Sequence, residues 1–176
     1  MSIKRLFLIL TAALVFFAID FFSKFIVQQN LPLINDYPSY PFGGIGITQN
    51  FHGITFSLVH AINHGAAWSL FSSYPHLLLS VRLIVILGVL FALIFSKAYR
   101  NYATALIFII VAALGNVVDF FIYGHVIDLF YFIFWGYSYP IFNVADSVIF
   151  CSMAWILLSS LMKKKNIKDG ILHERS

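Results

Sequence analysis

The chain has 176 residues, 61% of them apolar and 10% charged, with a net charge of +4. Soluble domains carry roughly 25% charged residues, so a water-soluble fold is excluded; with no basic stripe on a polar surface, so is a nucleic-acid binder. The composition is that of an all-α integral membrane protein with few spans, whose 7 acidic residues can be accounted for one by one.

Met1–Ile19 begins with Lys4 and Arg5 and continues apolar, as a signal peptide would. Phe16-Phe17-Ala18 is too bulky for a small-x-small cleavage site, and the apolar pattern runs on through Asp20 and Lys24 to Val27. An uncleaved first span is therefore expected over Leu6–Val27. The loop 28–76 that follows is long enough to carry structure of its own. Tyr37 to Gly44 reads as an interfacial turn region whose aromatics suit the headgroup belt. In Ile54–Val59, Ile54, Phe56 and Leu58 alternate with Thr55 and Ser57, which predicts a half-buried strand on the membrane surface.

Three further windows reach the roughly 20 residues a crossing needs: Leu77–Phe95, Ala103–Ile122 and Ile141–Met162. The connector 123–140 is expected to be a loop. Residues 1–162 thus form a single membrane-embedded domain, followed by a basic cytoplasmic tail, 163–176. The tail is expected to be solvated, partly disordered and in contact with anionic lipid.

The basic residues set the orientation. Lys4, Arg5, Lys97, Arg100, Lys163, Lys164, Lys165, Lys168 and Arg175 all fall on one side, and the two longer loops contain no Lys or Arg. Both termini are then cytoplasmic and the longer loops external.

Asp169 and Glu174 lie in the tail, and Asp36 reads as a turn former beside Asn35. The other four acids gather at the external boundary: Asp20, Asp119 and Asp146 inside spans, the last in the second turn of span 4, and Asp128 just beyond span 3. An acid within a span costs roughly 2.5–3.5 kcal/mol on insertion scales, so it has a partner or a function. Asp20 and Lys24, four apart, are either a helical ion pair with Lys24 snorkelling outward or part of a substrate site. Asn116 and Asp119 share one helical face, as do Asn143 and Asp146. One such pair would serve as interhelical glue. Two at matching depth, with Asp128 in the loop that joins them, fit a built polar site better.

Two close carboxylates cannot both ionise easily, so one keeps a proton and the pair offers an acid and a base together. That equips them to activate water against a peptide carbonyl and to protonate the departing nitrogen. His52, His60, His64, His76 and His125 are all external, but no Gly-x-Ser-x-Gly elbow accompanies them, and isolated loop histidines are mostly hydrogen-bonding or surface residues. No His-Glu-x-x-His or Cys/His cluster is present, and Cys151 stands alone in an apolar run, so neither metal nor cofactor is expected. A proton- or ion-coupled transporter would spread acids across the midplane, and a structural assembly subunit would use them as glue alone.

Several motifs carry a resemblance to a known family. Asn63-His64-Gly65-Ala66-Ala67-Trp68-Ser69, Gly115-Asn116-Val117-Val118-Asp119, Gly124-His125-Val126-Ile127-Asp128, Phe142-Asn143-Val144-Ala145-Asp146-Ser147 and Asp20-x-x-x-Lys24 resemble the motif blocks of bacterial lipoprotein signal peptidases (signal peptidase II). They run from Asp20 to Ser147 in family order on a four-span frame.

The resemblance implies a multi-pass aspartic peptidase of the bacterial inner membrane, with its active site at the external face. It would cut diacylglyceryl-modified prolipoproteins on the N-terminal side of the lipidated cysteine. Apart from the resemblance, membrane lipid is the expected setting and a monomer the expected form. Asp128 and Asp146 match the catalytic pair. Asn63, Asn116, Asp119 and Asn143 match polar residues that shape the pair and hold substrate, and Gly65 and Ala66 match the small-residue block beside it. The family fold adds a small external β-cradle, expected here between helices 1 and 2.

Two positions depart from the pattern. Phe120 stands where the family has an arginine, and Trp68 stands where it has phenylalanine. Arg82, near the outer end of span 2, is the candidate to compensate for the first, so an Arg82→Leu variant should process poorly.

Overall fold

In the computed structural model, residues 2–64 and 73–173 are described, with side chains through Lys163. Four helices dominate: α1 (Ile3–Asn30), α2 (Pro75–Phe95), α3 (Ala103–Tyr123) and α4 (Val144–His173). Each has a stretch long and apolar enough to cross a membrane. Their outward faces are apolar, as with Phe22, Val85, Phe121 and Leu157, because lipid tails replace water around them. α4 stays helical to His173, through most of the tail and well past the expected Met162 boundary.

The helix ends are set by local chemistry. Ser2 caps α1, accepting a hydrogen bond from the Arg5 N–H at 3.3 Å. Pro75 opens α2, where its missing N–H costs nothing. Gly124, at φ 78°, ends α3 in the left-handed conformation. The basic residues between α2 and α3 sit in a 3-10 segment, Lys97–Tyr102.

The helices carry one antiparallel sheet, ordered β1 (Ile45–Phe51), β2 (Ile54–Asn63), β3 (Val126–Phe134), β4 (Tyr137–Ser138). The strand expected over Ile54–Val59 is the first part of β2. The cradle is not confined to the segment between helices 1 and 2, however. Half of it comes from the α3–α4 connector, expected to be a loop, so Asp128 lies on a strand. Two tight hairpins close the sheet, at His52-Gly53 (φ 50° and 83°) and Trp135-Gly136 (φ 48° and 84°), with both central residues left-handed in each.

The β2–β3 pairing positions the site. Ala61 lies opposite Asp128 and Asn63 opposite Val126. Strand alternation sends Ile127 and Leu129 to one side, where they pack against Val27 of α1. Asp128 points to the other side. There Phe132 stacks on Phe56 across the strands at 4.2 Å, with Phe134 and Phe142 extending the aromatic layer. Phe142 is tied to β3 by the Phe130 N–H (2.8 Å) and the Leu129 N–H (3.1 Å), both donating to its carbonyl. That tie brings the next residue, Asn143, against Asp128.

Candidate active site

Asn143 is the N-cap of α4. Its Oδ1 accepts from the Asp146 N–H at 2.9 Å, and its own N–H donates to Asp146 Oδ2 at 3.3 Å. This is a reciprocal capping box, which places Asp146 in the first turn of α4 rather than the expected second. The same Asn143 donates through Nδ2 to Asp128 Oδ1 at 2.7 Å and more weakly to Asn116 Oδ1 at 3.2 Å. One fully buried amide therefore touches both acids, one by its oxygen and backbone and the other by its nitrogen.

Each acid has a second amide donor. Asn63 Nδ2 donates to Asp128 Oδ2 at 2.8 Å, and Asn116 Nδ2 donates to Asp146 Oδ1 at 2.9 Å. Two carboxylates, one on β3 and one on α4, are thus fixed by four hydrogen bonds. Asp128 is buried, and burial together with the nearby Asp146 charge pushes its carboxyl up to about 7, against the pull of the Asn63 and Asn143 hydrogen bonds.

Beneath the two acids lies an ionic framework. Lys24 Nζ contacts Asp20 Oδ2 at 2.6 Å, Asp119 Oδ2 at 2.7 Å and Asn116 Oδ1 at 2.8 Å. An ammonium has three protons, and three acceptors surround this one. Lys24 is 1% exposed, so the helical ion pair forms but the expected outward snorkelling does not occur. Asp119 and Asn116 on α3 draw it inward. The other oxygen of Asp20, Oδ1, accepts from the Ala145 N–H at 2.8 Å and so satisfies a second unpaired donor at the start of α4. Its negative charge also complements the helix dipole there.

Gly115 opens the Gly-Asn-x-x-Asp block. A Cβ there would come within 2.8 Å of Asp20 Oδ2, so the glycine makes room for that carboxylate. A glycine inside an apolar helix costs about 1 kcal/mol relative to alanine, and that cost was the available signal.

Asp146 opens onto a cavity of about 760 Å³. Asn63, Arg82, Asn116 and Asp146 supply polar atoms on its wall, and Phe132, Phe134, Phe142, Phe150 and Met153 make it largely apolar. Phe150 and Met153 are also exposed on the outer face of α4, so the apolar wall continues into the surface that meets lipid.

The histidines stand elsewhere. His60 Nδ1 lies 3.0 Å from the Leu31 carbonyl, and His64 meets His125 ring to ring at 5.5 Å. Burial, with His64 and His60 nearby, pushes His125 below the ordinary histidine value. None of them hydrogen-bonds either acid among the described residues. Asp20, Lys24, Asn63, Asn116, Asp119, Asp128, Asn143 and Asp146 are thus gathered into one cluster, and Arg82 lines the same cavity as Asp146. Gly65 and Ala66 lie outside the described residues.

Asn143→Ala should lose both the cap and the link to Asp128. A lost cap costs about 0.5–2 kcal/mol, and a carboxyl displaced by about 1 Å costs roughly 10²-fold in rate. Asn143→Ser restores a capping oxygen but no amide. It should recover the melting temperature of the parent while cleavage stays low. Equal recovery of both would show that the cap alone matters.

Known proteins share this architecture. A lipoprotein signal peptidase of Chlamydia pneumoniae is 34% identical over 148 residues, 81% of this chain and 83% of that protein. One from Enterococcus faecalis is 31% identical over 155 residues, 86% of each chain. A solved bacterial membrane enzyme superposes with a TM-score of 0.72 at 24% identity, covering 93% of this chain and 92% of its own. The signal peptidase II family model matches residues 12–162. The chain therefore belongs to the signal peptidase II family of aspartic peptidases.

Proposed function

We propose that this protein removes the signal peptide from diacylglyceryl-modified prolipoproteins, cutting on the N-terminal side of the lipidated cysteine, with Asp128 and Asp146 as the catalytic pair. The observation that carries the reading is the bridging of these two carboxyls by Asn143, with Asp146 on the wall of a largely apolar cavity. One carboxylate, ionised, takes a proton from water, whose oxygen attacks the peptide carbonyl. The other, protonated, gives its proton to the departing nitrogen. Asn63, Asn116 and Asn143 aim the pair, and Asp20, Lys24 and Asp119 form the platform beneath it. Gly65 and Ala66, outside the described residues, enter this reading through the motif resemblance alone. The apolar wall suits a substrate that arrives from the bilayer with acyl chains attached.

In the same reading the protein is a monomer of the bacterial inner membrane. Both termini are cytoplasmic, and the active site faces outward. The nine basic residues on one side of the spans support that orientation.

The direct test incubates the purified protein in detergent with a diacylglyceryl-modified prolipoprotein and follows the mass of the product. Loss of the signal-peptide mass from the modified substrate, with the unmodified precursor left intact, is expected. A transporter or a structural subunit would leave both unchanged.

The pair works with one proton between its members and titrates as a unit. With Asp128 raised to about 7, that proton leaves as pH climbs through this value. Cleavage should therefore fall on the alkaline side with an apparent midpoint near 7, read from the pH dependence of kcat. A rate that keeps rising to pH 9 would contradict the shared proton.

A further inference from the structure

We propose that His64 and His125 form a clasp across the end of the β2–β3 pairing, holding Asn63 against Asp128 while both rings are uncharged and letting go when both gain protons. The clasp rests on the two-carboxylate reading above, because Asp128 is the acid it serves. The two histidines are positioning residues and act through Asn63.

The strand register brings the parts together. Asn63 pairs with Val126, and among the described residues the β2–β3 register ends there. The next residue outward on each side is His64 and His125, and their rings meet edge to face at 5.5 Å, with 66° between the planes. This contact therefore closes the open end of the sheet. One position inward, Asn63 Nδ2 donates to Asp128 Oδ2 at 2.8 Å. A separation of the two strands at their end would pull that amide off the acid first.

His125 is built into its place. Its ring hydrogen-bonds the backbone of Tyr123, the last residue of α3, and lies 6.2 Å from the Tyr123 ring. Its Nε2 is buried and has no hydrogen-bond partner among the described residues. A proton arriving there meets no acceptor, which is unfavourable for a buried donor. The ionisable groups around it are His64, His60 on β2 and Tyr123 on α3. Helix α1 offers the Leu31 carbonyl to His60 at 3.0 Å, and its Lys24 pairs with Asp119 of α3, both charges reaching Tyr123. Asp128 follows three residues on along β3.

Burial, and then the His64 and His60 charges, hold His125 below the ordinary histidine value. Folding therefore favours the uncharged ring. That contribution is complete above about pH 6.5, the ordinary value, and fades as pH falls below it. Asp128 has the opposite sign: raised to about 7, it favours the fold at acid pH and less so as pH climbs. A loss of stability on mild acidification is thus a signature of the histidines and not of this acid. With both rings charged, like charges push β2 and β3 apart beside the pair that carries Asn63.

The test follows melting temperature, and kcat on a diacylglyceryl-modified prolipoprotein, at about pH 6.5 and about pH 5 for the parent, His64→Gln and His125→Gln. The parent should melt at least about 3 °C lower at the acid value and lose about tenfold or more in kcat. Each glutamine variant removes one of the two facing charges. Its melting shift should be less than about half of the parent's, and its loss in kcat at least about threefold smaller. A variant that tracks the parent in either measurement overturns the clasp. So does a parent that melts alike at both pH values.

His64 is exposed, so His64→Gln is expected to fold, and it decides alone if His125→Gln does not. If the parent cleaves nothing at either pH, the two-carboxylate reading falls. The melting comparison then upholds or overturns the histidine contact by itself.

Discussion

Asp146→Asn is expected to abolish cleavage, by on the order of 10⁴-fold in kcat as for loss of a member of other catalytic constellations, while the protein remains folded and membrane-inserted. The fold survives because an asparagine carbonyl can still accept from the Asn116 amide now bound at 2.9 Å. What it forgoes is the longer 3.3 Å contact from the Asn143 N–H. Asp128→Asn should be equally inactive but less stable. Both oxygens of Asp128 accept from amide nitrogens, Asn63 and Asn143, so an amide there turns a donor against a donor. A buried donor left unsatisfied costs about 1–3 kcal/mol. Product mass reads the activity and thermal melting reads the fold. Retained cleavage by the asparagine variant at 146 would falsify the pair.

The second large effect concerns stability. Lys24→Met should destabilise the protein by about 3–5 kcal/mol, the range for removing one member of a buried ionic cluster. At this chain length that lowers the melting temperature by roughly 10 °C. The loss does not measure attraction alone. It measures Asp20 and Asp119 left facing each other, both buried, without their cation. Adding Asp119→Asn to Lys24→Met should therefore recover a good part of the stability. Asp20→Asn should recover less, because Asp20 Oδ1 also satisfies the Ala145 N–H at the start of α4. If the methionine variant melts with the parent, the framework contributes nothing to the fold.

The helices and the cluster of acids were legible in the sequence because both are local or periodic signals. A run of about 20 apolar residues defines a span without knowledge of its neighbours, and Asn-x-x-Asp fixes a shared helical face at any depth. The sheet was half legible. Ile54–Val59 alternates cleanly, but Val126–Phe134 is nearly continuous apolar sequence following a span, and only its pairing with β2, about 70 residues earlier, makes it a strand. β1 contains Gly46, Gln49 and Asn50, weak strand formers held by register rather than propensity.

The direction taken by Lys24 was not legible for the same reason. Whether a lysine snorkels or turns inward depends on what the facing helix offers, here Asn116 and Asp119, more than 90 positions away. The capping role of Asn143 was hidden by the span boundary. The apolar run begins at Ile141, and only the tie of Phe142 to β3 delays the helix to Val144.

The stitching of the sheet from two connectors also sets when the molecule becomes dangerous. A chain emerging from the ribosome brings Asn63 first, Asp128 much later, and Asn143 with Asp146 last. With three helices threaded into the bilayer, Asp128 lacks one of its two amide partners and the second acid is absent. The platform is incomplete too, since Asp20 has no Ala145 to hold. If Asp128 and Asp146 are the catalytic pair proposed above, synthesis order acts as a safety catch: a half-made chain carries only one of the two acids, and the site closes when the last helix arrives.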